Sequence, residues 1–254
     1  MAGRISLAPT LRRAASRTLD ILLPPRPLDE RPAWARPIQG YGLSAEAWSG
    51  VAFIDWPFCE ICGAPLDHAQ PEGLACAACQ ARRPAFDRAR AACLYDARSR
   101  DLILQLKHAD RTDLAGLFAK WLARAARDLL PECEAVVPVP LHRSRLFARR
   151  YNQAAEIARP LARSASIPYL ADALRRERAT PSQGGRSRSG RRRNVSGAFT
   201  AARADRIRGR RLLLVDDVIT TGATIEACAR ALKAAGAARV DAVAIARVPT
   251  LEMG

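Results

Sequence analysis

Aromatic residues make up only 6% of this 254-residue chain, which also holds just three histidines and two methionines. So few rings limit base stacking, and any affinity for nucleic acid should rest on charge and be blind to sequence. Acidic residues are scarce beside basic ones: 25 Asp plus Glu face 41 Lys plus Arg, for a net +16. That excess favours polyanions such as nucleic acid, pyrophosphate or anionic lipid, without choosing among them. No apolar run approaches the roughly 20 residues a membrane-spanning helix needs. The N-terminus carries Arg4, Arg12, Arg13 and Arg17 but lacks the apolar core and cleavage site of a secretory signal. The expectation is a cytoplasmic protein with no membrane span. Its length supports one main domain plus an appendage, and its 49% hydrophobic content argues against wholesale disorder.

One stretch organises the rest. Residues 211–224 read RLLLVDDVITTGAT. The run Leu212, Leu213, Leu214, Val215 suits a strand buried on both faces of a parallel sheet, and Asp216 and Asp217 are expected at its end. Thr220, Thr221, Gly222, Ala223 and Thr224 then lead into a helical pattern that runs to Gly236. Free N–H groups at a helix start attract phosphate, threonine hydroxyls add donors, and Gly222 lets the backbone come close. Two carboxylates accept hydrogen bonds only, which suits the vicinal hydroxyls of a ribose. A diol site beside a phosphate turn describes a phosphoribosyl group. The alternative is an ordinary buried strand with an acidic edge and a Thr/Gly helix cap.

The other parts fall in order along the chain. Prolines at 24, 25, 27, 32 and 37 break up the first 55 residues, which read as a flexible arm. Cys59, Cys62, Cys76 and Cys79 form two C-x2-C pairs, the pattern of a four-thiolate structural zinc site, with Gly63 for the tight turn. Two disulfides are the competing reading, which a cytosolic setting opposes. His68 lies between the pairs as an exchange ligand, while Cys93, Cys133 and Cys228 read as small buried residues. From residue 89 strands and helices alternate. Strands are expected at 91–95, 135–139, 212–215 and 240–246, and helices at 99–107, 112–130 (ended by Pro131) and 152–163. That alternation predicts an α/β fold, a mostly parallel sheet with helices on both faces. Ligands in such folds bind beyond the carboxyl ends of the strands. There the loop with Pro140, Leu141, His142, Arg143 and Arg145 joins Lys107 as a candidate pyrophosphate site, with Arg149 and Arg150 nearby and His108 and His142 as weaker acid or base candidates. Between residues 175 and 199 an apolar-poor tract carries Arg186, Arg188, Arg191, Arg192 and Arg193, read as a mobile lid or a nucleic-acid grip.

At VDDVITTGAT the sequence resembles the PRPP-binding motif of type I phosphoribosyltransferases. The blocks LILQLKHADR, PLHRSRLFARRYNQA, RATPSQ and RRRNVSGAF, behind a four-cysteine ribbon, narrow the resemblance to the ComF family of competence-associated proteins. The resemblance implies PRPP with Mg²⁺, its ribose on Asp216 and Asp217 and its 5′-phosphate on residues 220–224. It also implies handling of incoming single-stranded DNA alongside DNA-processing proteins, and leaves a homodimer open. Whether the phosphoribosyl group is transferred or only sensed stays open as well. The expected division is an arm over 1–55, a zinc ribbon over 56–88 and a phosphoribosyltransferase-like domain over 89–254.

Overall fold

Alternating burial along two adjacent strands shows how the core is built. The structure, a computed structural model, describes residues 28–30, 42–66, 75–106, 113–143, 146, 151–178 and 197–249. Strands β1 (Ala89–Leu94), β2 (Ala135–Pro138), β5 (Arg211–Ile219) and β6 (Arg239–Arg247) form one parallel sheet in the order β1-β6-β5-β2. Successive side chains on a strand point to opposite faces. Accordingly Leu212 and Leu214 of β5 enter one apolar cluster with Val240 and Ala242 of β6, while Leu213 and Val215 enter the other with Val243 and Ile245. Each fully buried aliphatic side chain contributes about 1.5–3 kcal/mol.

Helices cover both faces, as the alternation predicts. On one side α4 (Leu114–Ala125) and α5 (Gln153–Ser164) supply Leu114, Phe118, Leu122, Ile157 and Leu161. On the other, α7 (Ala223–Ala234) supplies Ile225, Cys228 and Leu232, and shares its cluster with Cys59, Cys62 and Cys79. The cysteine segment therefore packs into the same core as the sheet. It carries the short helix α2 (Ala77–Ala81), and α1 (Ala45–Ser49) precedes it. Residues 52–54 extend the sheet edge: Phe53 bridges Cys93, and Ile54 N–H donates to Ala92 O at 2.9 Å. A further helix, α3 (Ala97–Gln105), opens on a reciprocal cap between Asp96 and Ser99.

Three expectations change. β5 does not stop at Val215 but runs to Ile219, because β6 keeps pairing with it: Asp216 lies opposite Ala244 and Ile219 opposite Arg247. The α4 helix ends at Ala125, and Pro131 falls in a short 3-10 turn, Leu130–Glu132, where its missing N–H costs nothing. The two ends of the arginine tract also pair, β3 (Leu174–Arg176) antiparallel to β4 (Phe199–Ala201). A further short helix, α6 (Ala204–Ile207), leads from that pair into β5. Among the described residues no helix is long and apolar enough to cross a membrane.

Candidate functional site

The site begins where one neighbour leaves β5 and the other stays. β2 pairs with β5 only as far as Pro138 opposite Val215, with Val139 N–H donating to Val215 O at 2.9 Å. Beyond that point β2 turns away, so Asp216 and Asp217 lie on a strand flanked on one side only by β6. This is the crevice that parallel α/β sheets offer to ligands.

The two carboxylates are anchored by their own backbone. Asp217 N–H donates to Asp216 Oδ1 at 2.9 Å, and Val218 N–H donates to Asp217 Oδ1 at 2.7 Å. Each of these bonds uses one oxygen. Asp216 keeps part of its surface accessible as a residue, yet its carboxyl group is crowded: burial pushes it well above the usual carboxylate range, and the adjacent Asp217 charge pushes the same way. The Arg176 charge, on β3, opposes that rise. Arg176 stacks on the Phe199 ring at 5.2 Å. Sequence reasoning assigned Arg176 no role, since nothing along the chain separates it from Arg175 and Arg178; only the β3–β4 pair brings it toward the acidic pair.

The turn after β5 has the form expected of an anion site. Gly222 sits at φ +74° as the cap residue of α7, a left-handed conformation that side chains disfavour. A Cβ there would meet only Phe86 Cε1, at 3.9 Å, so conformation and not space demands glycine. No side chain caps α7, which leaves its first N–H groups without that partner. The buried Thr221 hydroxyl has no hydrogen-bond partner among the described residues. Thr220 is exposed, Thr224 half-buried, and Ala223 buried. A buried hydroxyl facing no acceptor costs free energy unless something fills the place.

The loop after β2 leaves the sheet beside Val215 of β5. Asn152, the cap of α5, donates from Nδ2 to Val139 O at 3.0 Å and accepts from Ala154 N–H at 3.1 Å, so one side chain pins the end of β2 to a helix start. Tyr151 donates its hydroxyl to Leu106 O, at the end of α3. Pro140, Leu141 and His142 are half-buried and Arg143 is exposed. Lys107, Arg145, Arg186, Arg188, Arg191, Arg192 and Arg193 lie outside the described residues, as do His68, His108, Arg149 and Arg150.

The cysteines form a separate centre. All seven are free, and the sulfurs of Cys59, Cys62, Cys76 and Cys79 lie within 4.8 Å of one another. The Cys62 and Cys76 sulfurs are 3.7 Å apart. A tetrahedral zinc with bonds of about 2.3 Å holds its sulfurs about 3.8 Å apart, so the cage has the dimensions of such an ion. Backbone N–H groups of Cys76 and Cys62 donate to Cys59 Sγ at 3.2 and 3.5 Å, as thiolate cages require. The hydrogen bond from Cys62 pulls Cys59 down to about 4 and pushes Cys62 itself up. Gly63, at φ +69°, is doubly constrained, since a Cβ would lie 2.5 Å from Ala89 O. By contrast burial pushes Cys93 and Cys133 up to about 12 and raises Cys228 well above the usual thiol range, consistent with inert packing.

The cage is tied to the crevice at three points. Arg247, opposite Ile219 in the sheet, donates to Cys62 O at 2.8 Å and to Cys62 Sγ at 3.5 Å. Arg82 donates to Glu226 Oε1 at 2.5 Å in the first turn of α7. Phe86 borders Gly222.

Comparison with known proteins bears on the chain that carries these centres. The family model described as "Phosphoribosyl transferase domain" matches residues 151–253, a span that contains β5 and its turn. Competence protein F of Haemophilus influenzae is 32% identical over 198 residues, covering 76% of this chain and 85% of that protein. DNA utilization protein YhgH of Escherichia coli (strain K12) is 32% identical over 200 residues, 76% of this chain and 85% of that one. Among solved structures, the glutamine phosphoribosylpyrophosphate amidotransferase from B. subtilis is similar at 20% identity and a TM-score of 0.39; the match covers 56% of this chain and 30% of that one.

Proposed function

The chain belongs to the ComF family, and from that premise we propose that it binds PRPP at the end of β5 and transfers or senses its phosphoribosyl group in the handling of incoming DNA. Asp216 and Asp217 accept the ribose 2′ and 3′ hydroxyls with their carboxylate oxygens. Thr220, Thr221, Gly222, Ala223 and Thr224 take the 5′-phosphate through N–H groups and hydroxyls at the positive end of α7. The observation that carries this reading is the buried Thr221 hydroxyl with no partner among the described residues, in a glycine turn directly after two carboxylates.

Pro140, Leu141, His142, Arg143 and Arg145, with Lys107, are the proposed pyrophosphate side, supported by the position of residues 140–143 after the strand that neighbours β5. Breaking the bond between C1′ and the pyrophosphate oxygen leaves both bonding electrons on the leaving group and positive charge on the ribose. The carboxylates favour the cationic sugar and the basic loop favours the departing anion. Mg²⁺, when bound with PRPP, supplies further neutralisation of the pyrophosphate. The acceptor replaces pyrophosphate at C1′. Cys59, Cys62, Cys76 and Cys79 hold Zn²⁺ in a closed set of four thiolates, which leaves no position for a nucleophilic water and makes the ion structural. Transfer is tested by pyrophosphate release from PRPP and Mg²⁺ against a panel of bases and amines. Release with at least one acceptor is expected; silence across the panel limits the site to binding.

A second reading treats the chain as a non-catalytic accessory that grips single-stranded DNA, with the fold kept for ligand or partner binding. The net charge of +16 favours it. In either case we place the protein in the cytoplasm, with DNA-processing proteins or a second copy of the chain as partners.

A further inference from the structure

Two arginines are buried among the described residues, and their partners differ in kind. Arg90, 5% exposed, is balanced by a carboxylate: it donates to Asp128 Oδ2 at 2.7 Å. Arg247, 8% exposed, has no carboxylate within ion-pair distance among the described residues. Its Nη1 donates to Cys62 O at 2.8 Å and its Nη2 to Cys62 Sγ at 3.5 Å, while its Nε has no partner among the described residues. Arg247 lies at the end of β6, opposite Ile219, the residue before the Thr220–Thr224 turn. An arginine placed there would ordinarily serve as a phosphate ligand. Here both terminal nitrogens bond the cysteine cage instead.

A buried guanidinium without a counter-charge is costly, and a carbonyl dipole does not neutralise it. The Cys62 sulfur is the other acceptor that Arg247 contacts, so the state of the cage decides whether the charge is balanced. Thiols and disulfide sulfurs are neutral, weak acceptors. Four thiolates around a divalent ion carry two negative charges in excess, one of which the guanidinium offsets. Of these states the metal thiolate supplies the anion that Arg247 lacks. The hydrogen bonds divide the first cysteine pair accordingly. Cys59 Sγ accepts from the N–H groups of Cys76 and Cys62, at 3.2 and 3.5 Å, whereas Cys62 Sγ accepts from Arg247. Main-chain donors are neutral and suit any reduced cage; a buried cation suits only a charged one. The two-disulfide reading of the cysteine spacing would leave Arg247 buried with no balancing charge.

We propose that Arg247 is the counter-charge of the metal centre, a positioning residue that favours the metal-thiolate form of the cage over its metal-free and disulfide forms. This rests on the reading of Cys59, Cys62, Cys76 and Cys79 as a zinc site. The test uses the full reduced chain with zinc, as wild type, Arg247→Gln and Arg247→Lys. Glutamine keeps a donor for Cys62 O without the charge, and lysine keeps the charge without the planar fork. Zinc affinity is read by equilibrium transfer to a chromogenic chelator, with the fold followed by circular dichroism. Arg247→Gln should lose about 10-fold to 100-fold in zinc affinity, as removal of a partner of a metal ligand does. Arg247→Lys should bind zinc at least about fivefold more tightly than Arg247→Gln, because a charged donor to a thiolate outweighs a neutral one. A folded Arg247→Gln variant that holds zinc as wild type does overturns the proposal, and so does a lysine variant no better than the glutamine one. Where Arg247→Gln does not fold, the lysine variant decides: folded and zinc-loaded it supports the counter-charge, and failing in the same way it overturns it. A wild-type chain that takes up no zinc refutes the cage reading and the proposal together, so the two failures are told apart.

Discussion

Asp216 places an ionisable group where the apoprotein gains least from its charge. Burial first, and the neighbouring Asp217 second, raise its carboxyl well above the 3.8 of a free aspartate. In the unfolded chain it ionises near that ordinary value. Across the window between the two values the folded state binds more protons than the unfolded one, so stability falls as pH rises through it. Asp216→Asn removes this penalty. The variant should melt above wild type at about pH 8, and the gap should shrink toward about pH 4, as the wild-type carboxyl becomes protonated in both states. A gap that stays constant across the range, or a variant that melts lower at the upper end, contradicts this account. Stability given up by one crowded carboxyl is what a ligand site costs the apoprotein. The pair and Gly222 were legible in the sequence because their side-chain chemistry is specific at that spacing. Thr221 could be named from sequence, but that its hydroxyl is buried and without a partner among the described residues could not. Arg176 could not be found at all, since its place depends on pairing across a tract of more than twenty residues.

At the scale of elements, periodicity revealed both faces of the sheet and the order of strands and helices, but missed where β5 ends. The apolar run stops at Val215, yet a strand lasts as long as its neighbour pairs with it, and β6 continues to Arg247. The cysteine pairs likewise announced a cage but not its seat. That seat links the cage to the anion turn: Arg82 and Arg230 both hold Glu226, so that, although burial raises its carboxyl, their bonds keep it below the usual range. Removing the metal should therefore loosen the start of α7. With a chelator present, four more thiols per chain should react than in the zinc-loaded protein, matching the clustered cysteines, while Cys93, Cys133 and Cys228 stay protected until global unfolding. Amide exchange in residues 222–230 should rise in the same sample. Thiol release without faster exchange there would show that the cage and the turn are uncoupled.

For the whole molecule, charge and shape pull in different directions. A net +16 supports long-range attraction to any polyanion, and composition alone suggested that ring stacking would contribute little. The fold gathers Phe53, Trp56, Phe58 and Trp121 around one cleft, something no percentage could show. The proposed grip on single-stranded DNA rests on Arg191, Arg192 and Arg193. Replacing all three by alanine should lower the slope of log affinity against log salt by about 0.7 for each phosphate left without its cation, and weaken binding alike for unrelated sequences. Affinity and salt slope unchanged from wild type would remove the tract from the account.

The central claim is that one strand end holds a phosphorylated ribose by its diol and by its terminal phosphate together. Calorimetric titration of PRPP with Mg²⁺ into wild type and into the Asp216→Asn/Asp217→Asn variant tests it most directly. Single-site binding to wild type, weakened at least about 100-fold in a variant that remains folded, is the predicted result, because both charge-assisted hydrogen bonds to the diol are removed. Equal affinity in the two proteins would contradict it.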